Sequence, residues 1–199
     1  MKKLSDENGR RYWDNIILPD GTVLTSEDIN IGLYNIWKQY KGDAKYFIET
    51  GTHYGGGLYT ATIVGFEKYF SVDLHAEMIN HCRDRFKDRL NDDIFLSCSS
   101  SSTWLGKLMP FVKEKSLFWL DAHAFGGGAP VFEELEIIGR NDIKDHIICV
   151  DDIPIYYGDG QRVKDACLKI NPNYKFAWTP PEHMPGKPNY VLIAYIEEK

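Results

Sequence analysis

The sequence predicts an α/β fold: a mostly parallel sheet of about seven strands, helices on both of its faces, and an antiparallel hairpin at the C-terminal end. Three observations predict it. From residue 45 onward, short apolar runs alternate with segments of helical apolar spacing. The apolar runs are almost continuously hydrophobic, as strands buried on both faces must be, and a parallel sheet covered by helices buries its strands that way. The last two runs, "KFAWTP" and "NYVLIAYIEE", are separated by the Pro-rich "PEHMPGKP" with no helix between them, so they read as an antiparallel pair at the sheet edge.

Taken in order, "IILPDGTVLT" reads as a short hairpin or extended arm turning at Asp20-Gly21. Ser26, followed by Glu27 and Asp28, then caps a helix running to about Gln39. The five core strands are "KYFIET" (45–50), "KYFSVDL" (68–74), "DIFLSC" (93–98), "SLFWLDA" (116–122) and "HIICVDD" (146–152). Between them, "GGLYTATIVGF", "AEMINHCRDRFKDRL", "TWLGKLMPFVKE" and "APVFEELEIIGR" carry apolar residues at helical spacing. The expected organisation is one domain over residues 1–199, with an arm and helix to residue 44 and the sheet core from 45 to 199.

The formal net charge of -6 argues against a nucleic-acid partner, which would call for a basic stripe. The densest basic stretch, "HCRDRFKDRL", interleaves Asp84 and Asp88 and reads as a solvated helix face. The opening "MKKLSDENGR" has no apolar segment behind it and is not expected to be a signal peptide; no run is long enough to span a bilayer. No membrane partner is expected. Cys82, Cys98, Cys149 and Cys167 show no paired spacing, so reduced thiols in a cytoplasmic setting are expected.

Ligands of such a sheet sit at the carboxyl ends of its strands. The first core strand ends in "FIETGTHYGGG", a glycine turn that brings backbone N–H groups toward a ligand. The dinucleotide fingerprint places a second glycine where the pyrophosphate approaches; here Thr52, His53 and Tyr54 separate Gly51 from Gly55, Gly56 and Gly57. A nicotinamide cofactor is therefore disfavoured. Glu49 beside the turn repels a pyrophosphate but suits a cationic or amino-acid group, and Asp73 ends the second strand where an acid accepts ribose hydroxyls. An acid, a glycine turn and a second acid fit a positively charged nucleoside without phosphate, and S-adenosylmethionine has those features. His53 and His75 are given no role beyond lining.

The fourth strand ends in Asp121 and the fifth in Asp151 and Asp152. Neighbouring parallel strands end on one rim, so three carboxylates converge there, and such a group either raises its pKa values or takes a cation. Oxygen donors without cysteine favour Mg²⁺, with Mn²⁺ or Ca²⁺ as alternatives. His123, two residues past Asp121, could take a proton from a hydroxyl held at the ion. Tyr156, Tyr157 and Trp178 offer aromatic faces against which an acceptor could stack.

The motif order "ETGTHYGGG", "SVDLH", "LDAHA", "VDD" resembles the class I S-adenosylmethionine-dependent methyltransferases, and most closely the metal-dependent sugar O-methyltransferases of the macrocin and novobiocin type. The resemblance runs over residues 45 to 155 and implies a Rossmann-like methyltransferase fold. It implies a cofactor site from Glu49, Thr50, Gly51, Gly55, Asp73 and Ser99, and Mg²⁺ on Asp121, Asp151 and Asp152. The family carries an aspartate base two residues after its first metal ligand, where this chain has His123. The catalytic pair is thus His123 and Asp121, with Tyr156 and Tyr157 toward the acceptor. The expected acceptor is a small molecule or glycan; a homodimer stays open. Two alternatives stand beside the sugar reading: a methyltransferase for catechol-like phenols, and a scaffold that binds the cofactor without transfer. A metallophosphoesterase would need Gly-Asp-x-x-Asp and Gly-Asn-His segments, which the chain lacks.

Overall fold

The computed structural model describes residues 4–5, 11–12, 16–17, 21, 23–24, 29–123, 128–179 and 189–197. In the N-terminal arm β1 (Leu4–Ser5) pairs antiparallel with β2 (Arg11–Tyr12), and β3 (Ile16–Ile17) with β4 (Val23–Leu24). The second pair is the hairpin expected around residue 20. Helix α1 (Ile31–Tyr40) is capped by the Asn30 side chain, which accepts from the Leu33 N–H at 3.1 Å. The expected cap, Ser26, lies outside the described residues.

The main sheet holds β5 (Tyr46–Thr50), β6 (Lys68–Asp73), β7 (Ile94–Cys98), β8 (Ser116–Leu120), β9 (Ile147–Val150), β10 (Lys175–Trp178) and β11 (Leu192–Tyr195). Their order across the sheet is β10-β11-β9-β8-β5-β6-β7. β5 to β9 are mutually parallel, and β11 runs against both β9 and β10, so β11 is the one reversed strand of the sheet. The chain steps outward from β5 through β6 to β7, then returns to place β8 on the other side of β5. That reversal between β5 and β8 is a topological switch point, and doubly wound sheets bind ligands outside the strands' carboxyl ends at such a point.

Side-chain alternation sends Phe47 and Trp119 to one face and Ile48, Phe118 and Leu120 to the other. The first face is covered by α1, α2 (Gly56–Val64) and α3 (Ala76–Arg85), through Trp37, Leu58, Ala61 and Cys82. The second is covered by α4 (Ser101–Leu108), α5 (Val131–Gly139) and α7 (Gln161–Ile170), through Leu105, Leu135, Ile138, Val163 and Cys167. A one-turn helix α6 (Ile153–Tyr156) leads from β9 toward α7. Neither α6 nor α7 was expected, although Val163, Ala166, Cys167 and Ile170 carry the i, i+3, i+4, i+7 spacing of an amphipathic helix.

All four cysteines are free thiols; Cys82, Cys149 and Cys167 are buried and Cys98 is exposed. Among the described residues no helix is long and apolar enough to cross a membrane.

Candidate active site

Gly51 leaves β5 with φ +88°, a conformation that side chains other than glycine's rarely take. Its N–H still bonds the Val72 carbonyl at 2.9 Å, so the turn stays stitched to β6. A Cβ on Gly51 would lie 2.6 Å from the Asp121 carbonyl oxygen. The glycine turn after β5 therefore lies against the backbone that follows β8, across the point where the strand order reverses.

Beneath this turn Glu49 is 1% exposed. A Cβ on Gly57 would come within 2.3 Å of Glu49 Oε1, so the first turn of α2 rests on the carboxyl group. Ser71 donates to Glu49 Oε2 at 2.6 Å; that leaves the Thr52 hydroxyl, 2.6 Å from Ser71 Oγ, as the donor in its own bond. Burial pushes the Glu49 carboxyl up to about 8, against the pull of the Ser71 bond. Asp73, by contrast, is partly exposed at the rim. Its Oδ2 accepts from the His53 N–H at 2.8 Å and its Oδ1 from the His75 N–H at 2.9 Å. His53 and His75 thus act through their backbones, fixing the carboxylate that ends β6.

The remaining expected cofactor residues contribute main chain or packing. Ser99 donates its N–H to the Asp73 carbonyl at 3.0 Å, and the Thr50 carbonyl accepts from the Asp121 N–H at 3.0 Å. The Thr50 side chain is buried on the opposite sheet face, beside Glu134. Gly55 (φ +76°) makes room for α3: a Cβ there would meet Cys82 Sγ at 2.9 Å and the Phe86 ring at 3.0 Å.

On the other side of the reversal, Asp121 follows β8, while Asp151 and Asp152 follow β9. One ligand atom from each of Asp121, His123 and Asp152 lies within 4.8 Å of the others. His123 Nδ1 is 3.7 Å from Asp121 Oδ1, 3.9 Å from Asp152 Oδ2 and 3.1 Å from the Asp121 carbonyl oxygen. The chain leaves strand geometry after Leu120, so continued alternation does not account for this side of the pair. The imidazole instead folds back toward the Asp121 carbonyl. Asp151 is not in that group, and its Oδ1 accepts the Asp152 N–H at 2.8 Å. Even so, its charge acts on the cluster. Burial first, then Asp151, Asp152 and Glu49, push the Asp121 carboxyl up to about 9. The Asp121 and Asp152 carboxylates, facing one point, are oxygen donors that fit a divalent cation, while His123 turns its Nδ1–H to the Asp121 carbonyl beside them.

Asp152 has φ 55°, left-handed, and stands at the N-terminus of α6, its carbonyl accepting from the N–H groups of Ile155 and Tyr156. Of the expected acceptor residues, Tyr156 is exposed and stacks on His123, ring centroids 5.4 Å apart at 30°. Ile155 beside it is 59% exposed. Tyr157 is half-buried and meets Phe132 edge-on; burial, then the charges of Glu134 and Asp152, raise its phenol above the usual range. Trp178, partly buried, packs on Gly160 and under the Lys164 ammonium, against the core of the second face.

One residue escaped the sequence reading. Tyr190 precedes β11, and its carbonyl accepts the Ile153 N–H at 3.0 Å. Its phenol is raised by burial and by a hydrogen bond to the Asp152 carboxylate. A signal for it existed: a reversed strand brings its first residues, not its last, to the rim where parallel strands end.

No protein-family model and no curated protein matches the sequence. The fold does match solved structures. A methyltransferase from Geobacter sulfurreducens superposes with a TM-score of 0.57 at 15% identity, over 85% of this chain and 78% of that one. A protein from Streptococcus mutans, described as a methyltransferase and solved in complex with SAH, gives 0.53 at 15% identity, over 82% and 95%. A protein from Staphylococcus aureus described as a caffeoyl-CoA O-methyltransferase gives 0.55 at 11% identity, over 84% and 82%. At these identities the likeness is one of fold: the chain has the methyltransferase architecture expected from its motif order.

Proposed function

We propose that the protein is an S-adenosylmethionine-dependent, divalent-metal-dependent O-methyltransferase acting on a sugar hydroxyl of a glycan or glycoside. The observation that carries this reading is the contact between Gly51 and the Asp121 carbonyl across the strand reversal. It makes the nucleoside-type turn and the acid-histidine cluster neighbours, so a donor on one and a hydroxyl on the other meet.

In this reading the Gly51 turn admits the donor's amino-acid end close to the backbone, and Asp73, locked by two N–H groups, receives the ribose hydroxyls. Glu49, Thr50, Gly55 and Ser99 hold that surface in shape from beneath and behind. Asp121 and Asp152 would hold the cation, with Asp151 adding negative charge alongside. When bound, the donor supplies an electrophilic methyl group and the cation a Lewis acid that eases loss of the hydroxyl proton. His123 takes that proton. With Nδ1–H donated to the Asp121 carbonyl, the tautomer leaves Nε2 as the basic atom. Tyr156 and Ile155 offer the acceptor an exposed wall next to the base, and an aromatic face suits a sugar ring.

The test is methyl transfer from labelled S-adenosylmethionine to a panel of sugars, deoxysugars and catechols, with Mg²⁺ and with a chelator. Transfer to sugars that stops with chelator and in Asp152→Asn is expected. Transfer to catechols alone moves the substrate class, and cofactor binding without transfer to any acceptor favours the scaffold reading.

A further inference from the structure

β11 delivers a side chain to the cation site. Its register against β9 pairs Leu192 with Val150, Ile193 with Cys149 and Ala194 with Ile148. Carried two residues beyond the ladder, that register sets Tyr190 opposite Asp152. The Tyr190 carbonyl accepting the Ile153 N–H fixes its main chain there, directly after the acid. The phenol hydroxyl lies within hydrogen-bonding reach of the Asp152 carboxylate, to which it would donate. Asp152 itself holds a left-handed backbone that a non-glycine residue keeps only when its surroundings enforce it. Its N–H is tied to Asp151 Oδ1, and its carbonyl is tied to α6.

We propose that Tyr190 is a positioning residue for the cation: its phenol orients the Asp152 carboxylate so that one oxygen faces Asp121 and His123. The inference rests on the metal reading given above. A carboxylate ligand rotates freely about its last bond unless a second partner restrains it. Outer partners of this kind typically sustain about 10- to 100-fold in metal affinity. The reversed strand is what makes the arrangement available, because a parallel strand in that position would bring its C-terminal residue to the rim instead.

The experiment is titration of the full chain with Mn²⁺ followed by electron paramagnetic resonance, on the native protein and on Tyr190→Phe, with SAH affinity measured on both. Phenylalanine keeps the ring and removes only the hydroxyl. The expected result is Mn²⁺ affinity about tenfold weaker in Tyr190→Phe with SAH affinity unchanged. Equal Mn²⁺ affinity in the two proteins overturns the positioning role while the metal reading stands. Loss of SAH binding together with Mn²⁺ binding also overturns it, since the phenol would then support the fold at large. If the native protein binds no Mn²⁺, the metal reading falls and the inference falls with it.

Discussion

Glu134 lies on α5 with 1% of its surface exposed, beside the hydroxyls of Ser101 and Thr50, and its Oε1 has no hydrogen-bond partner. Burial pushes its carboxyl up to about 7, and the two hydroxyls pull it part of the way back. An acid raised in the folded state favours folding only while protonated in both states. As pH rises past its unfolded value the unfolded chain ionises first, so stability falls until the folded pKa is passed. The loss amounts to about 3 kcal/mol between roughly pH 4.5 and 7. Glu49 adds a slope of the same sign up to about pH 8. Glu134→Gln should therefore flatten the fall between pH 4.5 and 7, leaving the variant the more stable protein at pH 8 in urea denaturation. At the site itself, His123→Ala should lower kcat by about 10²- to 10⁴-fold, the usual contribution of a general base, with SAH affinity unchanged by calorimetry. An undiminished kcat in that variant would remove His123 from the chemistry.

At the scale of elements, the turn after β5 and the helix α1 each hold a position that resists substitution, and exposed Phe111 gives the contrast. Gly51→Ala must place a methyl group 2.6 Å from the Asp121 carbonyl while holding φ +88°. Both demands oppose it, so a loss of about 2–4 kcal/mol is expected together with loss of SAH binding. Trp37→Ala removes a ring that is fully buried between Phe47 and Trp119 and should cost about 3–5 kcal/mol. Phe111→Ala, 77% exposed, should stay within about 0.5 kcal/mol by the same measurement. The elements that were legible in the sequence are those with an unmixed period. β5, β6, β8 and β9 are continuous apolar runs because both their faces are covered, and they stand within two residues of where that pattern puts them. α7 was not expected, although its apolar spacing was present, because the glycine-punctuated "IPIYYGDG" before it breaks the period just where the helix begins. The site divides the same way. Asp121 and Asp152 could be foreseen from strand ends on one rim. The turn of Asp151 toward a backbone N–H could not, because it depends on the left-handed residue that follows. The reversal of the last strand puts Tyr190 at the rim, but its place beside Asp152 depends on β11 inserting between β9 and β10, a pairing that no local pattern specifies.

For the whole molecule, the strand reversal between β5 and β8 divides the candidate site into halves built by different parts of the chain. The donor half comes from β5 and β6 with their following loops. The half proposed to hold the cation comes from the ends of β8 and β9, with Tyr190 supplied by β11. They touch through backbone, at Gly51 and Asp121, and through the Asp121 N–H bonded to the Thr50 carbonyl. Contacts of this kind fix the distance between two ligands without making either ligand's binding groups depend on the other. SAH and cation should therefore bind with little mutual dependence. A ligand held by the folded state alone at a hundred times its dissociation constant stabilises it by about 2.7 kcal/mol. For a chain of this size that raises the melting temperature by roughly 5–10 °C. In scanning calorimetry, SAH should produce this rise equally with Mg²⁺ and with a chelator, and Asp152→Asn should retain it. Asp73→Asn should lose most of it, because in the proposed function its carboxylate receives the ribose hydroxyls. A rise that appears only with Mg²⁺ would mean that the donor reaches across the reversal to the cation, and that the two halves work as one site.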